Sequence, residues 1–85
     1  MPFDILLKPS AEKSFSKLPK SEQIKVFDVL EQLAVNPLPN GVKKLKSTES
    51  LYRIRVGDYR VIYSIQNKIL TVTILKIGHR SDVYR

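Results

Sequence analysis

Hydrophobic and polar residues change rhythm along this chain, and each change marks an element. Phe3 to Lys8 alternates, with Phe3, Ile5 and Leu7 on one side, and predicts a short strand. Pro9-Ser10 breaks that alternation, and Ser10 is a residue type that caps helices. From Ser10 to Leu18 the apolar positions Ala11, Phe15 and Leu18 fall at helical spacing, and Pro19 closes the run. Lys20 to Val35 predicts a longer helix. Its stripe is Ile24, Phe27, Leu30 and Ala34, broadened by Val26 and Leu33. Asn36-Pro-Leu-Pro-Asn-Gly41 is rich in chain-breaking residues and reads as a loop. Two helices separated by one short break suggest an αα-hairpin.

Beyond the loop come Val42-Lys-Lys-Leu-Lys46 and the polar Ser47-Thr-Glu-Ser50, and then the period becomes two. Leu51-Tyr-Arg-Ile-Arg-Val-Gly-Asp-Tyr-Arg-Val-Ile-Tyr63 alternates on both sides of Gly57-Asp58, the mark of a tight hairpin with a two-residue turn. That turn pairs Val56 with Tyr59, Arg55 with Arg60, Ile54 with Val61, Arg53 with Ile62 and Tyr52 with Tyr63. One face carries Tyr52, Ile54, Val56, Tyr59, Val61 and Tyr63; the other carries Arg53, Arg55 and Arg60. Ile69 to Ile77, rich in β-branched residues, predicts a third strand. A turn at Gln66-Asn67 sets Leu70, Val72 and Ile74 opposite Tyr63, Val61 and Tyr59. Thr71 and Thr73 then join the arginines, with Thr73 beside Arg60. The order is β-α-α followed by a strand meander. It predicts an α+β fold in which a helical hairpin packs on one face of a small, mainly antiparallel sheet. The opposite face is left to solvent.

Composition narrows the partners. Eighty-five residues suit one small domain, residues 1–85. With no cysteine there is no disulfide, thiolate metal site or nucleophilic thiol. No apolar run approaches the roughly 20 residues of a membrane span, and the N-terminal alternation is unlike a secretory signal, so the expected location is the cytosol. The net charge is +7. Residues 1–41 balance five lysines against five acids. Residues 42–85 set ten lysines and arginines against Glu49, Asp58 and Asp82, and so hold the entire surplus. A surplus confined to one half points to a polyanionic partner, nucleic acid or an acidic protein; the plainer reading is a solvated basic face.

The hairpin sharpens that choice. Like charges directly opposite across strands repel, yet Arg55 faces Arg60. Guanidinium groups fork onto phosphate oxygens, so Arg53, Arg55 and Arg60 with a neighbouring threonine can hold a phosphate and stabilise extra charge on phosphorus. The alternative is that long charged side chains merely cover an open sheet face. His79, the single histidine, stands at a strand end beside Arg80; it is either incidental or a proton carrier. Tyr84 either tacks the tail onto the domain or stacks on a base or moves a proton. Lys43, Lys44 and Lys46 suit RNA backbone contacts or a solvated loop. A divalent-metal nuclease wants clustered acids, and the basic half has only three scattered ones.

Arg53-Ile-Arg-Val-Gly-Asp-Tyr-Arg-Val-Ile-Tyr63, followed by Gly78-His-Arg-Ser-Asp-Val-Tyr84, resembles the RelE-type toxins of the RelE/ParE toxin–antitoxin superfamily. The likeness extends to the opening strand, the helical hairpin, the Asn-Pro loop and Lys43-Lys-Leu-Lys46. It implies a ribosome-dependent endoribonuclease that cuts mRNA in the A site without a metal or other cofactor. Arg60 takes the place of the family's central phosphate-stabilising arginine. Arg53 and Arg55 fall where the prototype has two functional lysines. Tyr84 matches a functional C-terminal tyrosine, and Arg80 or His79 the second functional arginine. Arginine almost never gives up its proton, so a general base at Arg55 is disfavoured; proton transfer passes to Tyr84 or His79, or the reaction rests mostly on charge stabilisation. The resemblance also implies an acidic or amphipathic antitoxin wrapping the basic face or displacing the tail, and operator binding by the two together. The alternatives are a ParE-like gyrase inhibitor and a non-catalytic RNA- or ribosome-binding module.

Overall fold

A computed structural model describes residues 3–46 and 50–79. Strand β1 (Asp4–Leu7) leads into helix α1 (Pro9–Ser16) and helix α2 (Lys20–Val35). Strands β2 (Lys43–Lys46), β3 (Leu51–Val56), β4 (Tyr59–Gln66) and β5 (Thr71–His79) follow. They form one sheet in the order β1-β5-β4-β3-β2. Only β1 against β5 runs parallel; the other three pairings are antiparallel. The α+β arrangement of two helices on one face of a mainly antiparallel sheet is therefore as expected. Lys43–Lys46 adds a strand that the meander alone did not predict.

The β3–β4 hairpin has the expected register throughout, from Tyr52 opposite Tyr63 to Val56 opposite Tyr59. Gly57 is the reason. Its φ of +60° supplies the left-handed step that a two-residue turn with glycine first requires, and it locks the ladder behind it.

The β4–β5 connection departs from expectation. A short 3-10 turn spans Asn67–Ile69, and Leu70 follows with φ of +47°. Leu70 is thus outside the strand and 41% exposed, not on the apolar face. Tyr63 pairs with Ile74, four residues further along than expected, and Thr73 lies opposite Ser64, not beside Arg60. Because the slip is even, Val72 and Ile74 keep their apolar face and are fully buried.

The core is a sandwich of sheet and helices. Val61, Tyr63, Val72 and Ile74 meet Ala11 of α1 and Val26, Leu30 and Leu33 of α2. Each fully buried valine or leucine contributes about 1.5–3 kcal/mol of hydrophobic stabilisation. The stripe expected on α2 is rotated: Ile24 and Phe27 are 58% and 53% exposed. The helix carries apolar residues over a wide arc, and the sheet covers only the part centred on Val26, Leu30 and Leu33. Pro9, not Ser10, opens α1, and Lys8 at the N-cap makes no side-chain capping bond. Ser10 Oγ donates instead to the Leu75 carbonyl, 3.5 Å away on β5. Gln23 of α2 donates to the Phe15 and Ser16 carbonyls and so closes the end of α1.

Candidate functional site

The sheet face away from the helices is built by strand alternation, since directly paired residues point to the same side. Two rows of side chains cross it. One runs Arg55, Arg60, Gly78 over β3, β4 and β5. The other runs Lys43, Arg53, Ile62, Lys76 over β2, β3, β4 and β5. With strands about 4.8 Å apart, the second row spans roughly 14 Å. Among the described residues, five cations therefore share one face. Arg53 and Arg60 are half-buried, and Arg55 and Lys76 are exposed. Arg55 leans toward the hairpin turn, where its Nε donates to the Gly57 carbonyl at 3.1 Å.

Arg60 is the central member. It stands on an inner strand, half-buried, and faces Arg55 on one side and Gly78 on the other. An anion approaching this spot meets a held guanidinium with a second one across the ladder. That arrangement suits a phosphate, whose oxygens accept paired N–H donors.

Lys76 was not foreseen, and the cause is a bulge. Ile62 pairs with Lys76 but Tyr63 pairs with Ile74, so Leu75 is an extra residue in β5. A bulge re-aims the side chains beyond it. Without it, Leu75 and Ile77 would face outward and Lys76 would point into the core. With it, Ile77 is buried at 2% exposure and Lys76 joins the arginines. The sequence holds a faint trace of this: Ile74-Leu-Lys-Ile77 breaks the alternation that Val72 and Ile74 establish.

Other expected members are placed apart. Lys44 pairs with Tyr52 and so belongs to the helix-covered side, at the sheet edge. Lys46 pairs with Leu51 in the backbone ladder. Thr73 is near the opposite end of the face, where its hydroxyl donates to Gln66 Oε1 at 3.1 Å. His79 pairs with Tyr59, and their rings meet edge-on with centroids 5.6 Å apart. That puts His79 at the strand end on the side opposite Arg60. Arg80 and Tyr84 lie outside the described residues. Among the described residues no group of three or more His, Cys, Asp or Glu side chains is placed to hold a metal ion, and no helix is long and apolar enough to cross a membrane.

Tyr63 is fully buried, and its hydroxyl donates to the Pro37 carbonyl at 2.7 Å. Burial, with the neighbouring Tyr52 adding to it, pushes the phenol up to about 12. This bond ties the sheet to the 36–41 loop, which delivers the chain to β2 and Lys43.

Residues 5–84 match the family described as the ParE toxin of the type II toxin–antitoxin system parDE. The chain belongs to this family. Putative toxin RelE1 of Methanocaldococcus jannaschii is 31% identical, over all of this chain and 98% of its own length. Toxin RelG of Mycobacterium tuberculosis is 30% identical, over all of this chain and 99% of its own length. Among solved structures, the archaeal RelE–RelB complex of Pyrococcus horikoshii contains a chain similar at a TM-score of 0.86 and 33% identity, covering 98% of this chain and 100% of that one. The protein is thus a type II toxin of the RelE kind, and the family match runs through Arg80 to Tyr84.

Proposed function

We propose that this toxin is a ribosome-dependent mRNA endoribonuclease that cuts in the A site by a metal-independent route. One observation carries the reading: Arg60, held on an inner strand with Arg55 across from it and glycine beside it, at the centre of a five-cation face. In the reaction the ribose 2′-oxygen attacks the adjacent phosphorus and the bond to the 5′-oxygen breaks. The products are a 2′,3′-cyclic phosphate and a 5′-hydroxyl. Arg60 stabilises the charge that builds on the phosphoryl oxygens, an effect worth about 2.7–4 kcal/mol when one such donor is removed. Arg53 and Arg55 hold the flanking backbone. Arg55 supplies charge only, since a guanidinium does not accept the 2′-hydroxyl proton. Tyr84 is the side chain that moves protons, and Arg80 adds charge from the tail; His79, turned to the side opposite Arg60, takes no part in this step. Lys43 contacts RNA from the β2 edge.

The partner follows from the same surface. The Pyrococcus relative is a RelE–RelB complex, and a cationic face of this kind calls for an acidic or amphipathic antitoxin that covers it. Toxin and antitoxin together bind operator DNA. The family's description as ParE favours one competing reading, a gyrase inhibitor on the same scaffold. Mapping RNA 5′ ends after brief expression separates the two. The nuclease gives new, codon-phased ends within translated messages; the gyrase inhibitor gives none and instead halts supercoiling by purified gyrase.

A further inference from the structure

The cationic face has an apolar centre, and that asymmetry points to how a strand lies on it. Ile62 sits between Arg53 and Lys76 in one cross-strand row. It is half-buried, with a long cation on either side of it along that row. Lys76 is aimed onto this face only because Leu75 bulges. Its ammonium makes no ion pair with any described residue. It is also the diagonal neighbour of Arg60, displaced by one strand and two residues, about 7–8 Å away.

We propose that Lys76 is a substrate-positioning residue that neutralises the backbone phosphate next to the one held at Arg60. Ile62 lies under the nucleotide between them. The single-stranded RNA then crosses the strands along the row from Lys43 through Arg53 toward Lys76, with the scissile phosphate offset onto the Arg60 row. The three cations of the longer row give the strand a direction across the sheet, and the gap at Ile62 takes a sugar or base in place of a phosphate. The inference rests on the RNA reading of this face and adds a contact that the arginine hairpin alone does not supply.

Lys76→Gln tests it, with Lys68→Gln as the control. Lys68 is an exposed lysine in the Asn67–Ile69 turn, at the far end of the β4–β5 connection. On programmed ribosomes carrying a defined mRNA, Lys76→Gln should raise KM about 5–10-fold and leave kcat unchanged, the pattern of a contact made equally in ground and transition states. Lys76→Arg should restore KM, and Lys68→Gln should leave both constants as they are. Unchanged KM in Lys76→Gln, or a loss confined to kcat, overturns the assignment. A second reading is independent of cleavage. Anisotropy of a short RNA with 2′-O-methyl riboses, followed against NaCl, gives a slope of log Kd on log salt. Lys76→Gln should flatten that slope by about 0.7, one phosphate's worth for a single strand. A flattened slope upholds the positioning role even if no RNA is cut, whereas an unchanged slope removes it even if the wild-type chain is a nuclease.

Discussion

The two faces of this sheet are made by alternate residues of the same strands, and they obey opposite rules. On the covered face, Val61, Tyr63, Val72 and Ile74 are fully buried against α1 and α2. On the open face, two rows of side chains bring Lys43, Arg53, Arg55, Arg60 and Lys76 together. Stability is concentrated on one side and charge on the other, with one residue's step separating them. Arg60 and Val61 are neighbours in sequence, yet they serve different ends. Such a division lets a small domain keep mutually repelling cations. The cost of the Arg55–Arg60 pairing, about 0.2–1 kcal/mol, is small beside the burial on the reverse side.

The covered face is the more costly one to disturb. Ile74→Ala should destabilise the fold by about 2–5 kcal/mol, because Ile74 is fully enclosed by sheet and helices. Urea unfolding reads this directly; a loss below about 1 kcal/mol would mean that the packing around β5 collapses to fill the space. Tyr63→Phe has the next largest effect. Below pH 10 the phenol is protonated in folded and unfolded chains alike. Between pH 10 and about 12 only the unfolded chain gives up its proton, so stability falls as pH rises; above about 12 both forms are ionised and the fall ends. Tyr63→Phe should lose about 1 kcal/mol at neutral pH with the Pro37 hydrogen bond. It should then fall less steeply than wild type across the alkaline window; parallel curves would show that Tyr63 titrates normally. The smallest effect belongs to the open face. Arg55→Thr removes the like-charge pair and should raise stability by about 0.2–1 kcal/mol, while weakening anion binding. A variant less stable than wild type would mean that the Arg55–Gly57 bond outweighs the repulsion.

How much was legible in advance follows the same division. The hairpin could be read residue by residue, because Gly57 pins the turn and alternation does the rest. The turn into β5 could not. A leucine at φ of +47° carries no sequence signal, since that conformation normally calls for glycine or asparagine. The register therefore came out four residues away, Thr73 moved off Arg60, and the bulge at Leu75 brought Lys76 in unannounced. On α2 the wide apolar arc left two stripes in competition. Packing selected Val26, Leu30 and Leu33, and left Ile24 and Phe27 largely in solvent. Of the site, Arg53, Arg55 and Arg60 were placed together by the sequence pattern alone. His79 was not: its strand parity puts it against Tyr59, a consequence of the bulge that no local pattern announces.

The central claim is that the open face acts and the covered face holds the structure, with Arg60 as the pivot of the first. Mapping RNA 5′ ends after brief expression of Arg60→Ala, with folding of the purified variant checked by urea unfolding, tests it most directly. The account predicts that codon-phased cuts fall by about 100–1,000-fold, with stability within about 1 kcal/mol of wild type. Undiminished cutting by a folded Arg60→Ala protein would contradict it.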